Sequence, residues 1–200
     1  MKRILTLLLT LILTITMVGA QVPDIERVKR HLDTTDGLMI EYLLTIGDYA
    51  QSGIYYGAGK KFYLESMDIR AWYDGGNLWL YVAQNGEINL TTPQEKELGE
   101  LNPLLSLESL NHEDYMIAQN NGILTVKPKK SGSNTFEWMK VAIDSHSRPL
   151  WIEVKEQGLE GHIRVDIKKI QKGSYPEMHE KGFFSFEPNK LPGIEVIDLR

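Results

Sequence analysis

The chain contains no cysteine, and this absence excludes several kinds of chemistry. Without cysteine there is no disulfide bond, no thiolate zinc site, no cysteine nucleophile and no lipid on an N-terminal cysteine. The chain also has no excess of basic residues. It contains 27 Asp and Glu and 22 Lys and Arg, which gives a formal net charge of −5. A nucleic-acid-binding protein normally shows a basic face, so the composition gives no support for a nucleic acid partner.

Histidines and other reactive side chains do not form a recognisable catalytic or metal-binding pattern. The five histidines are His31, His112, His146, His162 and His179, and none stands two, three or four residues from another. No metal site and no cofactor is therefore predicted. The segment Gly57-Ala58-Gly59-Lys60 lacks the spacing of a phosphate-binding loop, and there is no GxSxG serine motif. We predict that the protein is not an enzyme, and a hydrolase with an unrecognised site is the weakest functional hypothesis.

The N-terminus is typical of a secretory signal peptide. Lys2 and Arg3 precede an apolar stretch from Ile4 to Val18, and small residues follow before a cleavage point between Ala20 and Gln21. The apolar stretch has about 15 residues, whereas a membrane span needs about 20. We predict a signal peptide at residues 1–20 and a single exported domain at residues 21–200.

Two segments predict short helices. Pro23 to Asp33 places Ile25, Val28 and Leu32 on one stripe of a helix. That helix is too short to be stable alone, so it must dock on an apolar surface. Pro93 to Leu110 predicts one or two further helices, with Asn102 as a cap and Pro103 at a first helical position.

The rest of the chain alternates with a period of two residues, which indicates β-strands. Turn pairs such as Asn85-Gly86 and Asn121-Gly122 separate many of the runs and favour tight hairpins. The pattern predicts an antiparallel meander of about eleven strands, which must curl strongly or close. The predicted strands are Leu38–Ile46, Gly53–Gly57, Lys61–Ser66, Arg70–Asp74, Leu78–Ala83, Glu87–Thr91, Tyr115–Gln119, Ile123–Lys127, Phe136–Ile143, Leu150–Lys155 and Ile163–Ile170.

The early strands are apolar on both faces, whereas the late strands are not. Near the end of the chain, Val165 and Ile167 alternate with charged residues, which indicates one buried face and one wet face. In the early strands, Phe62 and Leu64 alternate with Tyr63, so both faces are apolar. Two interpretations are equally open. The sheet is packed on both sides, with helices on one of them, or a concave sheet encloses an apolar cavity.

One stretch resembles a known family. Residues 72–81, Trp-Tyr-Asp-Gly-Gly-Asn-Leu-Trp-Leu-Tyr, are similar to a strand pair of periplasmic lipoprotein carrier proteins, the LolA-like family. The resemblance covers nearly all of residues 22–197. Further similar segments follow the family's order: Tyr55 to Leu64, Pro103-Leu104-Leu105, Leu124 to Pro128, Phe184 to Pro188 and Leu191 to Val196.

The resemblance implies a mainly β fold, an unclosed antiparallel half-barrel of about eleven strands with short helices plugging its concave side. It implies a monomeric periplasmic chaperone that holds the acyl chains of lipoproteins in an apolar cavity. Such a carrier takes acylated lipoproteins from an inner-membrane ABC-type extractor and passes them to an outer-membrane receptor. The alternative is a periplasmic lipid- or protein-binding sensor domain of the same fold without a transport role.

The early strands and the alternating inward positions give a set of cavity-lining candidates, and the two helical segments give a lid. Plain core packing is the alternative for each lining residue. The predicted lining residues are Tyr42, Leu44, Phe62, Leu64, Trp72, Leu80, Trp138 and Ile152, and the predicted lid residues are Ile25, Val28, Leu32, Leu104 and Leu105.

The chain departs from the family in the turn before the strand of Phe62. The family carries an arginine there that takes part in closing the lid, whereas this chain has Gly57-Ala58-Gly59-Lys60-Lys61. A lysine supplies the charge but not the forked donor geometry of arginine. The sequence assigns no structure to the tail from Ile197 to Arg200.

Overall fold

The computed structural model describes residues 24–94, 97–98, 103–108, 110–130 and 136–200. The predicted signal peptide and the predicted cap Asn102 lie outside the described residues. Within the described ranges, twelve strands form one sheet. The strands are β1 (Leu38–Ile46), β2 (Tyr49–Ala58), β3 (Lys61–Ser66), β4 (Ile69–Tyr73), β5 (Leu78–Val82), β6 (Glu87–Thr91), β7 (Tyr115–Asn120), β8 (Ile123–Pro128), β9 (Phe136–Ile143), β10 (Pro149–Glu156), β11 (Ile163–Lys172) and β12 (Glu195–Asp198).

The hairpins form where the turn pairs predicted them. Asn121 and Gly122 both have positive φ, 48° and 74°, as the tight turn between β7 and β8 requires. Between β4 and β5, the carboxylate of Asp74 accepts hydrogen bonds from the backbone N–H groups of Gly76 and Asn77, at 2.9 and 2.7 Å. These local turns fix the register of each antiparallel pair.

The strand order is β12-β6-β5-β4-β3-β2-β1-β11-β10-β9-β8-β7. β1 pairs with β11 as well as with β2, so one meander runs outward from each side of β1. β7 and β12 stand at opposite ends of the order, so the sheet does not close on itself. The predicted unclosed antiparallel half-barrel is confirmed.

The twelfth strand was not predicted. β12 pairs in parallel with β6, and the Leu199 N–H donates to the Leu90 carbonyl at 2.9 Å. The tail that the sequence left without a structure, Ile197 to Arg200, therefore begins within an edge strand that ends at Asp198. β12 reaches β6 only after residues 174–194 have crossed the outer face of the sheet. A local sequence pattern contains no information about a pairing of this kind.

Two short helices pack on one face of the sheet, which we call the helix-covered face. They are α1 (Ile25–Leu32) and α2 (Pro103–Glu108). Residues 174–194 pack on the opposite, outer face of the early strands and include 3₁₀ turns at Pro176–His179 and Pro188–Lys190. We call these residues the C-terminal segment. No helix in the described parts of the chain is long and apolar enough to cross a membrane.

Candidate functional site

The main apolar cluster joins α1 to the helix-covered face of the sheet. The three apolar residues of α1 are buried, with Ile25 and Val28 fully enclosed and Leu32 only 3% exposed. They belong to one cluster with Phe62 and Leu64 of the early sheet. The predicted amphipathic stripe is thus the surface by which α1 docks, and its charged side faces away.

The segment around α2 completes the cover. Leu104, Leu107 and Leu110 are buried in the same cluster. The Lys29 ammonium of α1 donates to the Leu110 carbonyl at 2.5 Å and pairs with the Glu26 carboxylate at 3.1 Å. The side chain of Leu105, a predicted lid residue, lies outside the described part of the structure.

Six of the eight predicted lining residues face the helices. Tyr42, Phe62, Leu64 and Ile152 are buried in the main cluster, and Leu44 and Leu80 are half-buried at its margin. Burial raises the pKa of the Tyr42 hydroxyl to about 12, so this side chain stays neutral at ordinary pH. Gly53 makes room for its ring, since a Cβ there would lie 2.4 Å from a Tyr42 ring carbon.

The other two predicted lining residues, Trp72 and Trp138, lie on the outer face, so their assignment was wrong. Trp72 belongs to the second cluster with Phe186, whereas Ala71 and Tyr73 beside it contact the main cluster. Trp138 lies 6.3 Å from the ring of His162, while its neighbour Met139 is buried in the main cluster. Side chains alternate between faces along a strand, so these tryptophans cannot reach the helices.

Polar contacts hold the N-terminal end of α1. The Asp24 backbone N–H donates to the side-chain oxygen of Gln119 in β7 at 2.9 Å. The Ser147 hydroxyl, in the turn between β9 and β10, donates to the Asp24 carboxylate at 3.0 Å. Ser147 is only 1% exposed and has a φ of 63°, a left-handed conformation that costs free energy for a residue other than glycine.

The turn that presents Ser147 is organised by Asp144. Its carboxylate accepts hydrogen bonds from the backbone N–H groups of Arg148 and His146, at 2.9 and 2.8 Å, and from the Arg148 guanidinium at 2.7 Å. These donors, the Arg148 N–H first, hold the pKa of the Asp144 carboxyl at about 2. The turn thereby keeps its shape at neutral pH.

The C-terminal end of α1 is held by hydrogen bonds to backbone groups of two turns. The ring of His31 donates from Nε2 to the His146 carbonyl at 3.1 Å. Two residues after the helix, the Thr34 hydroxyl donates to the Gly59 carbonyl at 2.7 Å, and the Gly59 N–H donates to the Thr34 carbonyl at 2.9 Å. Gly57 allows this approach, because a Cβ there would lie 2.5 Å from the Thr34 methyl.

The turn in which the family resemblance implied an arginine contains none in this chain. The turn between β2 and β3 holds the end of α1 through the backbone of Gly59, without a forked side-chain donor. The partners Gln119, Ser147 and Gly59 are distant from α1 in sequence. No local pattern in the sequence points to them.

The outer face of the early strands has its own cover. Tyr63, Trp72 and Tyr81 point away from the helices and contact the C-terminal segment. The ring of Phe183 lies 5.4 Å from Tyr63, and the ring of Phe186 lies 5.4 Å from Trp72. The apolar character of both faces in the early strands is thus explained by covers on both sides.

A cavity of about 460 Å³ adjoins the main cluster at the ends of β5 and β6. Leu78 in its wall belongs to that cluster, and Leu98, one residue beyond the wall residue Glu97, packs against the cluster. The wall is formed by Leu78, Thr91, Thr92, Pro93, Glu97, Leu199 and Arg200.

Comparison with known proteins gives one family. Residues 45–148, a little over half of the chain, match the family described as outer membrane lipoprotein carrier protein LolA. Among curated proteins, none matches the chain in sequence.

Several solved structures are similar in fold at low sequence identity. An uncharacterized conserved protein from Thermus thermophilus has a TM-score of 0.49 and 11% identity, over 86% of this chain and 95% of that chain. A DUF1329 family protein from Desulfovibrio piger has a TM-score of 0.39 and 12% identity, over 80% and 97%. The MucA/MucB complex of Pseudomonas aeruginosa gives 0.39 and 11%, over 76% and 58%. Similarity at this level concerns the fold alone.

Proposed function

The chain belongs to the outer membrane lipoprotein carrier protein LolA family, and on that basis we propose that it binds the acyl chains of lipoproteins on its helix-covered face. It acts in the periplasm. There it receives acylated lipoproteins from an inner-membrane ABC-type extractor and delivers them to an outer-membrane receptor. It acts by binding and release, without catalysis.

The observation that carries this proposal is the way α1 is attached. Its buried stripe of Ile25, Val28 and Leu32 is apolar, while its ends are held by a few hydrogen bonds from β7 and from two separate turns. A helix of eight residues is not stable in water by itself. When α1 leaves the sheet, the apolar face beneath needs another apolar occupant, and an acyl chain meets that need.

The free energies make such an exchange feasible. Each hydrogen bond at the ends of α1 contributes about 1 kcal/mol net. Each CH₂ group of an acyl chain that leaves water contributes about 0.8 kcal/mol. A lipid with several chains can therefore offset the loss of the end contacts and of the stripe's own burial. Cargo shifts the equilibrium toward the open form only by its differential affinity for that form.

The bound chain contacts the six lining residues that face the helices, with Phe62 and Leu64 beneath α1 and Leu80 at the margin. The cavity beside Leu78 offers the first apolar contact before α1 moves, because it adjoins the main cluster in the closed form. The hydroxyls of Thr91 and Thr92 in its wall suit the polar end of an amphiphile.

A charge at Leu80 tests the binding face. We expect Leu80→Glu to fold and to be exported, because this side chain is only half-buried. It should lose lipoprotein binding by a factor of about 10 or more, since a carboxylate beside the acyl chain is costly to desolvate (on the order of several kcal/mol). The measurement is the amount of lipoprotein that co-purifies with the protein from the periplasm. Leu80→Met is the matched control and should bind normally. Normal binding by the glutamate variant would show that this face is not the binding face.

Transport requires a separate test. Depletion of the protein should leave lipoproteins mislocalised at the inner membrane, as measured by membrane fractionation. Correct sorting in depleted cells, together with lipoprotein bound to the purified protein, would instead favour a lipid-holding or sensing domain of the same fold.

A further inference from the structure

The outer face of the late strands differs from the rest of the surface in its charge. Counted over both of their faces, strands β8 to β11 contain seven Lys or Arg and four Asp or Glu, a net charge of +3 in a chain whose total is −5. Of the seven cations, Lys172 lies on the helix side, where it donates to the Asp33 carbonyl. The C-terminal segment packs against the early strands, so side chains such as Lys127 and Lys168 remain exposed. We call the outward-facing residues of β8 to β11 the open outer face.

Each of these four neighbouring strands contributes at least one lysine to the open outer face, and β11 adds Lys169, which pairs with Glu41 at 3.5 Å. The lysines alternate with residues that contact the main cluster, such as Val126, Val154 and Ile167, and therefore point away from the helices. Adjacent strands lie about 4.8 Å apart, so the four strands form a band of positive charge about 14 Å wide. Besides Lys169, the lysines are Lys127, Lys140, Lys155 and Lys168.

Two of the four acids in these strands, Glu153 and Asp166, share one cation of the same face. The guanidinium of Arg164 lies 2.7 Å from the Glu153 carboxylate and 2.9 Å from the Asp166 carboxylate. The two carboxylates are thus already engaged by a cation. The positive charge that this face offers to a partner therefore comes from its lysines.

Two tryptophans lie within the same band. The Lys140 ammonium is 4.7 Å from the centre of the Trp138 ring, and the Arg164 guanidinium is 4.5 Å from the centre of the Trp151 ring. Both rings are half-buried. Leu150, the bulge residue next to Trp151, is 47% exposed. Tryptophan beside lysine is the combination that proteins place at the interface between lipid headgroups and water.

We propose that the open outer face binds the surface of an anionic lipid bilayer. Its positive band complements negatively charged headgroups, and its tryptophans suit the headgroup layer. The register places Lys127, Lys140 and Lys155 toward one end of this face and Lys168 toward the other, so the positive charge is spread along the strands. Charge spread in this way fits the many phosphates of a bilayer better than one acidic protein segment. The chain as a whole is acidic, with a net charge of −5, so this lysine-rich face is the part of it that an anionic bilayer attracts. The inference does not depend on lipoprotein transport.

The experiment measures binding of the full protein to vesicles by co-sedimentation. The vesicles are pure phosphatidylcholine, or phosphatidylcholine with about 30% phosphatidylglycerol, which supplies the anionic surface. We expect binding to the anionic vesicles only, and weaker binding when salt is raised from about 0.1 to about 1 M. Each lysine near such a surface contributes a factor of about five, so Lys127→Gln with Lys168→Gln should bind about 30-fold more weakly.

The matched control replaces Lys60 and Lys181, two exposed lysines outside this face, with glutamine. It removes the same charge and should bind like the natural protein. Equal losses in both double variants would overturn the proposal, as would equal binding to neutral and anionic vesicles. Binding to a Glu-rich peptide with no binding to anionic vesicles would also overturn it and would indicate an acidic protein partner.

Discussion

The two faces of the early sheet are both covered, but the two covers are built differently. On one face, α1 contributes the aliphatic side chains Ile25, Val28 and Leu32 and is held at its ends by contacts from β7 and from separate turns. On the other face, the C-terminal segment contributes aromatic rings that interlock with Tyr63 and Trp72. In the proposed function the first cover is the lid, whereas the second cover stays in place as part of the core.

The C-terminal segment also holds itself in shape. The Lys190 ammonium donates to the carbonyls of Gly182 and Ser185, at 2.6 and 2.9 Å, and lies 5.8 Å from the centre of the Trp72 ring. At its C-terminal end the segment runs into β12, which pairs with β6. Removal of this cover would therefore break a strand pairing as well as an aromatic cluster. Displacing the C-terminal segment to admit a lipid would therefore cost more free energy than releasing α1.

The largest expected effect is on the permanent cover. Phe186→Ala should reduce the free energy of unfolding by about 3 kcal/mol, because Phe186 is 8% exposed and packs on Trp72. Urea unfolding measures the change. The counterpart in the lid is Leu32→Ala, which should loosen α1 alone, so that hydrogen exchange of residues 25–32 rises more than global stability falls. Global losses of the same size in both variants, without faster exchange in α1, would remove the distinction between the covers.

A smaller effect is expected at Ser147, the buried serine that contacts the N-terminal end of α1. Ser147→Ala removes the hydrogen bond to Asp24 and keeps the unfavourable positive φ, so it should cost about 1 kcal/mol. Ser147→Gly removes the same hydrogen bond but adopts this φ freely, so it should cost less than the alanine variant. Thermal unfolding of both variants separates the two contributions. An alanine variant as stable as the natural protein would show that this contact does not hold α1.

The smallest effect depends on pH and on Asp144. Its folded-state pKa of about 2 lies below the unfolded value of about 3.9, so its contribution is present above about pH 4 and is lost as the pH falls toward 2. Asp144→Asn should lower the unfolding temperature at neutral pH, and the difference from the natural protein should close by about pH 2. A difference that persists unchanged in acid would show that ionisation of Asp144 does not stabilise the turn.

Much of the sheet could be predicted, because alternation and turn chemistry are local. All eleven predicted strands are present, and Phe62, Leu64 and Leu80 face the helices as their alternation indicated. Trp72 and Trp138 were assigned to the cavity because they are large and aromatic. At Trp72 this assignment went against the alternation of the strand, and at Trp138 the alternation was not used. In β4, the alternation already set Trp72 opposite Ala71 and Tyr73, and both of these contact the main cluster.

The contacts that hold α1 could not be predicted, for a physical reason. Asp24 meets Gln119 and Ser147 only because the meander from β7 to β10 brings those strands back beneath the helix. Single hydrogen bonds between distant residues leave no periodic signal in a sequence. The same holds for β12, four residues long and paired in parallel with a strand far earlier in the chain.

A reversible lock on α1 tests the central claim most directly. The chain has no cysteine of its own, so Asp24→Cys with Ser147→Cys creates a single possible disulfide where the two side chains already touch. The account predicts that the oxidised protein binds no acylated lipoprotein and that reduction restores binding in the same sample. Equal binding in the oxidised and reduced forms, with the disulfide confirmed by mass spectrometry, would contradict the claim that α1 must leave the sheet to admit an acyl chain.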